Sequence, residues 1–145
     1  MNSEPNDGLL IIGYGNPLRG DDGAGVVAAS RLRVLGFQTL ELHQLTPEIA
    51  EPLAAARTAI FIDADTSVSP GRARLSEVAP AGKRLFEHHA SPAGILRLAA
   101  DAYNRNPKAF FIGLGGENYG YSSVLSPSAE RAVSEAIQIA LDARF

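Results

Sequence analysis

Short apolar runs alternate with longer amphipathic segments along this chain. Residues 9–12, 58–62 and 109–112 are compact runs rich in aliphatic, β-branched and aromatic side chains, which predict buried strands. Residues 37–42 predict a further strand. Residues 72–78 alternate basic with small or apolar side chains, as is typical of a strand at the edge of a sheet. The hydrophobic pattern therefore predicts about five strands.

Helices are predicted from their start signals. A hydroxyl residue followed by proline marks three helix starts, at Thr46–Pro47, Ser91–Pro92 and Ser126–Pro127. Another helix is predicted to begin near Asp22 and to stop at Gly36, with apolar residues at helical spacing along one face: Ala24, Ala28, Leu32 and Leu35. The last helix carries a longer apolar stripe, made of Ala129, Ala132, Val133, Ala136, Ile137, Ala140 and Leu141.

Alternating strands and helices, with continuously apolar central strands, predict an α/β fold. We expect a three-layer α/β/α sandwich around a mostly parallel sheet of about five strands. Residues 1–7 predict a flexible polar leader and residues 8–145 a single domain. In such sheets the functional site lies outside the carboxyl ends of the strands. The segments that start at Gly13, Asp63 and Gly113 are therefore the places to search for chemistry.

Composition narrows the function classes. A chain of 145 residues with a formal charge of −3 is too balanced to favour a nucleic-acid or anionic-membrane partner. Cysteine is absent, which excludes disulfides, thiolate metal sites and cysteine nucleophiles, and only three histidines are present. The apolar run near the start is too short for a signal peptide or a membrane span, so a cytoplasmic protein is expected.

The glycine-rich first loop is the first candidate for chemistry. Gly13 and Gly15 follow a strand as in a dinucleotide-binding fingerprint, but Leu18 occupies the position of the third glycine. Asp21 and Asp22 would repel a pyrophosphate at the helix start, so a cation suits the loop better. The alternative is that these two acids only cap the helix.

Two further candidates follow along the chain. Asp63 ends a buried strand, where it either forms a turn or points into the cleft at the sheet edge. Asp65, two residues later, points to the same side if the strand continues. His88 and His89 precede a helix start and are candidates for chemistry. His43 is interpreted as an ordinary surface or hydrogen-bonded residue. Two carboxylates and one imidazole would form an incomplete coordination shell that suits zinc, nickel or cobalt.

The first loop also carries a specific resemblance. Residues 10–26, LIIGYGNPLRGDDGAGV, resemble the signature of the nickel–iron hydrogenase maturation endopeptidases, in which a strand leads into G-x-G-N and then D-D/E-G-x-G. Later segments are similar to the family's in the same order: IFIDA at 60–64, EHHASP at 87–92, GE at 116–117 and LSP at 125–127. The resemblance covers roughly residues 8–143.

The resemblance implies a function and a site. It implies an endopeptidase that removes the C-terminal extension of a hydrogenase large subunit once nickel is inserted, with the nickel carried by the substrate and no metal necessarily held by the isolated chain. It implies metal contact and catalysis by Asp22, Asp63 and His88, with His89 in reserve. It implies substrate binding by Gly13, Gly15, Asn16 and Glu117. The expected partner is the precursor of the large subunit, and this chain is expected to be a monomer.

Two other functions stay open at this level. One is a non-catalytic, metal-dependent binding module or nickel-loading chaperone, which would share the metal contacts but would not cleave. The other is a nucleotide-binding regulator, which the paired acids of the first loop disfavour. Cleavage of a nickel-loaded precursor would separate the first from the endopeptidase, and binding of a dinucleotide would support the second.

Overall fold

The computed structural model describes residues 8–82 and 90–143, in which five strands and four helices alternate except that the fourth strand directly follows the third. The strands are β1 (Leu9–Tyr14), β2 (Gln38–Leu42), β3 (Thr58–Ala64), β4 (Ala73–Glu77) and β5 (Lys108–Leu114). The helices are α1 (Ala24–Val34), α2 (Ala50–Ala54), α3 (Pro92–Tyr103) and α4 (Pro127–Asp142). Short 3₁₀ turns at Gly20–Gly23 and Pro47–Ile49 lead into α1 and α2.

The strands form one mixed sheet in the order β2-β1-β3-β5-β4. Pairing is parallel between β2, β1, β3 and β5, and only the edge strand β4 runs antiparallel to its neighbour β5. The predicted α/β fold with a mostly parallel sheet of about five strands is therefore confirmed.

Helices cover both faces of the sheet. On one face Ile11 and Ile60 pack with Leu32 of α1 and Val133 of α4. On the other face the alternate strand residues pack against α2 and α3: Leu10, Ile12 and Phe61 contact a cluster with Leu53, Ile95 and Leu96. Successive strand side chains point to opposite faces, so a strand covered on both sides must be apolar at every position. This is why the central strands read as continuous apolar runs.

Two of the predicted helix starts form as the sequence indicates. The Ser91 hydroxyl accepts a hydrogen bond from the Gly94 amide and the Ser126 hydroxyl accepts one from the Ala129 amide, each at 3.1 Å. Thr46 makes no such cap, and the chain after it turns as a 3₁₀ helix before α2 begins. The helix expected near Asp22 likewise begins two residues later, after its own 3₁₀ turn.

Two leucines depart from their predicted faces. Leu35 is 55% exposed because α1 ends at Val34 and the chain reverses at Gly36, where φ is +101°. Leu141 is 47% exposed, whereas Ala136 and Ala140 of the same helix are buried. One residue corresponds to about 100° of helical rotation, so Leu141 lies to the side of that buried line.

The topology brings three loops to one edge of the sheet. Because β1, β3 and β5 are parallel neighbours, the segments that follow Tyr14, Ala64 and Leu114 leave the sheet side by side. Helix α1 begins at the same edge, after the first loop. None of the helices in the described part of the chain has the length and hydropathy that a membrane span requires.

Candidate functional site

Asp63 lies at the centre of this edge, near the end of β3. Its strand neighbour is Gly113 of β5, and the preceding residue pairs with Gly13 of β1. The side chain is half-buried, and its Oδ1 accepts a hydrogen bond from the Ala64 amide at 2.8 Å. Gly15 has φ at +136°, and a Cβ there would collide with the Asp22 carbonyl oxygen and lie 3.4 Å from the Asp63 Oδ1, so the glycine lets the Asp22 turn pack closely beside the carboxylate.

Burial and neighbouring charge make Asp63 reluctant to ionise. Burial raises the pKa of its carboxyl to about 7, opposed by the Ala64 hydrogen bond and reinforced by the charges of Asp22 and Asp65. Within residues 8–82 and 90–143, neither Asp22 nor Asp63 forms an ion pair. A cation at this edge would therefore be attracted by carboxylates that no described positive charge neutralises.

Asp22 reaches the same place from the first loop. It lies in the 3₁₀ turn before α1, is half-buried, and accepts a hydrogen bond from the Asn16 amide at its Oδ2 at 2.8 Å. The Asn16 side chain in turn accepts from the Leu18 amide at 2.9 Å. Asp22 and Asn16 thus shape the loop together, and the structure brings Asp22 close enough to Asp63 to influence its ionisation.

Asp21, its neighbour, has a different role. It is fully buried and accepts four hydrogen bonds: from the amides of Glu117, Asn118 and Ser126 and from the Ser126 hydroxyl, at 2.7 to 2.9 Å. Burial alone would raise the pKa of this carboxyl, but the three amides and the hydroxyl together lower it. Asp21 therefore joins the first loop to the loop after β5 and to the start of α4.

Glycines allow α1 to approach the strands closely. A Cβ on Gly13 would collide with the Gly25 carbonyl oxygen and lie 2.5 Å from the Ala29 Cβ. A Cβ on Gly25 would collide with the Ile62 carbonyl oxygen and lie 2.8 Å from that of Tyr14. Gly13 is buried beneath α1, so its missing side chain serves helix packing and thereby positions the Asp22 turn over the strand ends.

Asp65 and Tyr14 complete the surroundings of Asp63. Hydrogen bonds from the Ser67 hydroxyl and amide lower the pKa of Asp65 against the effect of burial, and an Arg74 nitrogen lies 3.6 Å away. Burial raises the pKa of Tyr14, and the charges of Asp63 and Asp65 add to it, so the phenol stays neutral. Tyr14 is not among the residues predicted from the sequence, although its position between Gly13 and Gly15 at a strand end could have indicated it.

Tyr119 is a second tyrosine that sequence analysis missed. Its hydroxyl is buried, and none of the described residues forms a well-oriented hydrogen bond with it. Burial raises its pKa, the Gly116 amide opposes this, and the charges of Asp21, Asp22 and Asp65 raise it further. The tyrosine therefore remains neutral beside the carboxyl end of the sheet that carries Asp22, Asp63 and Asp65, which we call the acidic edge.

The remaining predicted residues divide into two groups. Glu117 is exposed, and its backbone amide rather than its carboxylate enters the Asp21 network. His88 and His89 lie outside the described residues. Within the part of the chain that the structure describes, no three carboxylate or imidazole groups are close enough together to hold a metal ion. The described part of the predicted metal site is therefore a pair of carboxylates, Asp22 and Asp63.

Comparison with known proteins finds similar solved structures. No protein-family model and no curated protein sequence matches the chain. Among solved structures, the NiFe hydrogenase maturation protease HybD from Thermococcus kodakarensis is similar with a TM-score of 0.75 and 25% identity, over 94% of this chain and 99% of that one. The hydrogenase maturating endopeptidase HybD from E. coli is similar with a TM-score of 0.73 and 21% identity, over 92% of this chain and 89% of that one.

A third structure is a different protease from the first organism. The NiFe hydrogenase maturation protease HycI from Thermococcus kodakarensis KOD1 has a TM-score of 0.69 and 24% identity, over 92% of this chain and 90% of that one. Each of these similarities spans more than 90% of this chain. The resemblance predicted from the first-loop motif is thus confirmed: this chain has the fold of proteins named hydrogenase maturation proteases.

Proposed function

We propose that this chain is an endopeptidase that removes the C-terminal extension of a nickel–iron hydrogenase large-subunit precursor after nickel insertion. The observation that carries the proposal is the pair Asp22 and Asp63, held at one edge of a fold shared with named maturation proteases. The alternative of a non-catalytic nickel-loading chaperone has no comparable support, because the similar structures are named proteases and endopeptidases.

The acidic edge suits a nickel ion carried by the substrate. Carboxylate oxygens are accepted by divalent nickel alongside imidazole nitrogen. Asp22 supplies such oxygens from the first loop and Asp63 from the end of β3, and neither has a cationic partner among the described residues. His88, with His89 in reserve, is the proposed third contact. Nickel already bound in the precursor would have its coordination completed by these side chains, and a precursor without nickel would not be retained.

The chain's own residues would then position the scissile segment. Gly15 lets the Asp22 turn pack closely beside Asp63, and the hydrogen bonds of Asn16 and Asp22 fix the loop next to these carboxylates. Holding the peptide bond in one orientation is a large part of the catalytic work, because misplacement by about 1 Å can cost roughly 100-fold in rate. In the cleavage itself water adds to the carbonyl carbon, the carbon–nitrogen bond breaks, and the proton passes to the leaving amine.

The direct test is incubation of the protein with a purified, nickel-loaded precursor and analysis of the products by mass spectrometry. We expect one shortened large subunit and one released C-terminal peptide. Asp22→Ala and Asp63→Ala should each slow processing by about 100-fold or more. Asp101→Ala is the matched control, because Asp101 is exposed on α3 and pairs only with Arg97 of the same helix in the described structure.

Each result has a defined meaning. Binding of the precursor without any cleavage by the unaltered protein would favour the chaperone and refute the endopeptidase. Normal processing by Asp63→Ala would refute the proposed site. His88→Ala and His89→Ala decide between the two histidines, since only the one that contacts nickel should share the defect of Asp22→Ala. A cytoplasmic location and a monomeric state are also part of the proposal.

A further inference from the structure

Two loops beside the acidic edge form a single exposed surface, which we call the two-loop platform (residues 16–20 and 118–125). The Ser122 amide donates to the Leu18 carbonyl at 3.1 Å, and the Gly20 amide donates to the Ser122 carbonyl at 2.8 Å. Arg19 and Ser122 pair as an isolated parallel bridge. The platform therefore has the backbone hydrogen bonds of a short two-stranded element, although both segments are loops.

Apolar side chains project from this platform into solvent. Leu18 is 64% exposed, Tyr121 92% and Val124 71%, and they are three of the eight large apolar residues that the described chain exposes. The Arg19 guanidinium carbon lies 5.8 Å from the centre of the Tyr121 ring. Single exposed apolar residues are ordinary, but three of them on two hydrogen-bonded loops beside a candidate site call for an explanation.

The platform is also rigidly connected to the acidic edge. Asp21, which follows Gly20, accepts hydrogen bonds from Asn118 and Ser126, at the two ends of the second loop. The Asp21 amide donates to the Asn118 carbonyl at 2.8 Å. Gly20 has φ at +56°, and a Cβ there would lie 2.5 Å from the Asn118 oxygen, so only glycine fits this junction. A surface fixed in this way loses little conformational entropy when a partner binds it.

We propose that the two-loop platform is the docking surface for the folded body of the precursor, separate from the contacts that its nickel and tail make at Asp22 and Asp63. This inference rests on the proposed function. Continuity supports this occupant, because a substrate seated at the acidic edge has the platform directly beside it. Tyrosine and arginine are among the residue types that are enriched at energetic centres of protein interfaces. The matching surface on the precursor is an apolar patch with an acceptor facing Arg19.

The test separates binding from chemistry. KM and kcat for cleavage of the nickel-loaded precursor, and Kd for the same precursor by biolayer interferometry, are measured for the unaltered chain, a Leu18→Ser/Tyr121→Ser variant and Val34→Ser. Val34 is a matched control because it is 82% exposed at the far end of α1, about 16 Å along the helix from the acidic edge. We expect KM and Kd of the platform variant to rise roughly tenfold or more, with kcat within about twofold and Val34→Ser unchanged.

The outcomes distinguish this inference from the proposed function. Unchanged KM and Kd in the platform variant, beside normal cleavage by the unaltered chain, would overturn the docking surface and leave the endopeptidase standing. Binding without cleavage by the unaltered chain would overturn the endopeptidase, and Kd of the platform variant would still decide the docking surface. An equal loss in Val34→Ser would also overturn it. Val124→Ser alone serves as the second variant if the double change alters the thermal unfolding midpoint.

Discussion

The carboxylate of Asp21 accepts hydrogen bonds from both the amide and the hydroxyl of Ser126, at 2.8 and 2.7 Å, across 105 positions of sequence. The same hydroxyl caps α4 by accepting from the Ala129 amide at 3.1 Å. One buried carboxylate thereby fixes the first loop, the loop after β5 and the start of the last helix relative to one another. The geometry of the acidic edge depends on this connection, because Asp22 follows Asp21 in the chain.

Removal of the Asp21 carboxylate should destabilise the fold. Asp21→Ala removes a buried carboxylate that three amides and a hydroxyl use as their acceptor, so we expect the free energy of unfolding in urea to fall by about 3 kcal/mol. Asp101→Ala removes an exposed carboxylate from an i,i+4 pair and should cost about 0.5 kcal/mol or less. Equal stability of the two variants would show that the Asp21 network contributes little.

Asp63 should make stability depend on pH. Its pKa is about 7 in the folded chain, above its ordinary value of 3.8, so its stabilising contribution is complete below about pH 4 and is lost as the pH rises through 7. Asp63→Asn removes this titration and should be more stable than the unaltered chain at pH 8, by on the order of 2 kcal/mol after allowance for solvent contact. Unfolding curves at pH 5, 6, 7 and 8 measure it.

The control for this pH dependence is Asp101→Asn, whose unfolding free energy should follow that of the unaltered chain at every pH because the residue is exposed. If the unfolding free energy of Asp63→Asn also ran parallel to that of the unaltered chain, the Asp63 carboxyl would be titrating as it does in water. Its burial between Gly15 and the strand ends would then have no energetic consequence.

The closeness of α1 to the sheet predicts that Gly25 tolerates no side chain. Gly25→Ala would drive a methyl group into the Ile62 and Tyr14 carbonyl oxygens, which belong to backbone and cannot rotate away. We expect a loss of about 3 kcal/mol in unfolding free energy. Gly82→Ala is the control, because the described structure places no atom within 4 Å of its Cβ position, and it should change stability by less than about 0.5 kcal/mol.

Leu32 and Leu35 test the end of α1. Leu32 is fully buried against the sheet, so Leu32→Ala should reduce the unfolding free energy by about 3 kcal/mol. Leu35 lies beyond the last helical residue and is 55% exposed, so Leu35→Ala should change it by less than about 0.5 kcal/mol. A comparable loss at both positions would mean that the helix continues to Leu35, as its sequence spacing predicts.

Local patterns were sufficient for the layers of the fold. The apolar runs identified β1, β3 and β5 as central strands, because only strands covered on both faces are apolar at consecutive positions. Ser91 and Ser126 were recognised as helix caps, since capping needs only residues close in sequence. The same local logic failed at Leu35, where a helix end overrode the spacing, and at Thr46, where a 3₁₀ turn replaced the expected cap.

For the site, the sequence by itself determined which residues could carry the chemistry and the edge at which they would meet. Asp63 follows a buried strand and Asp22 lies in a glycine-rich loop after another, and parallel strands bring such ends together. Only the tertiary structure divided the adjacent acids into a buried connector, Asp21, and a half-buried acid, Asp22, near Asp63. The physical reason is that a carboxylate's role depends on its hydrogen-bond donors, and those of Asp21 come from residues about 100 positions away.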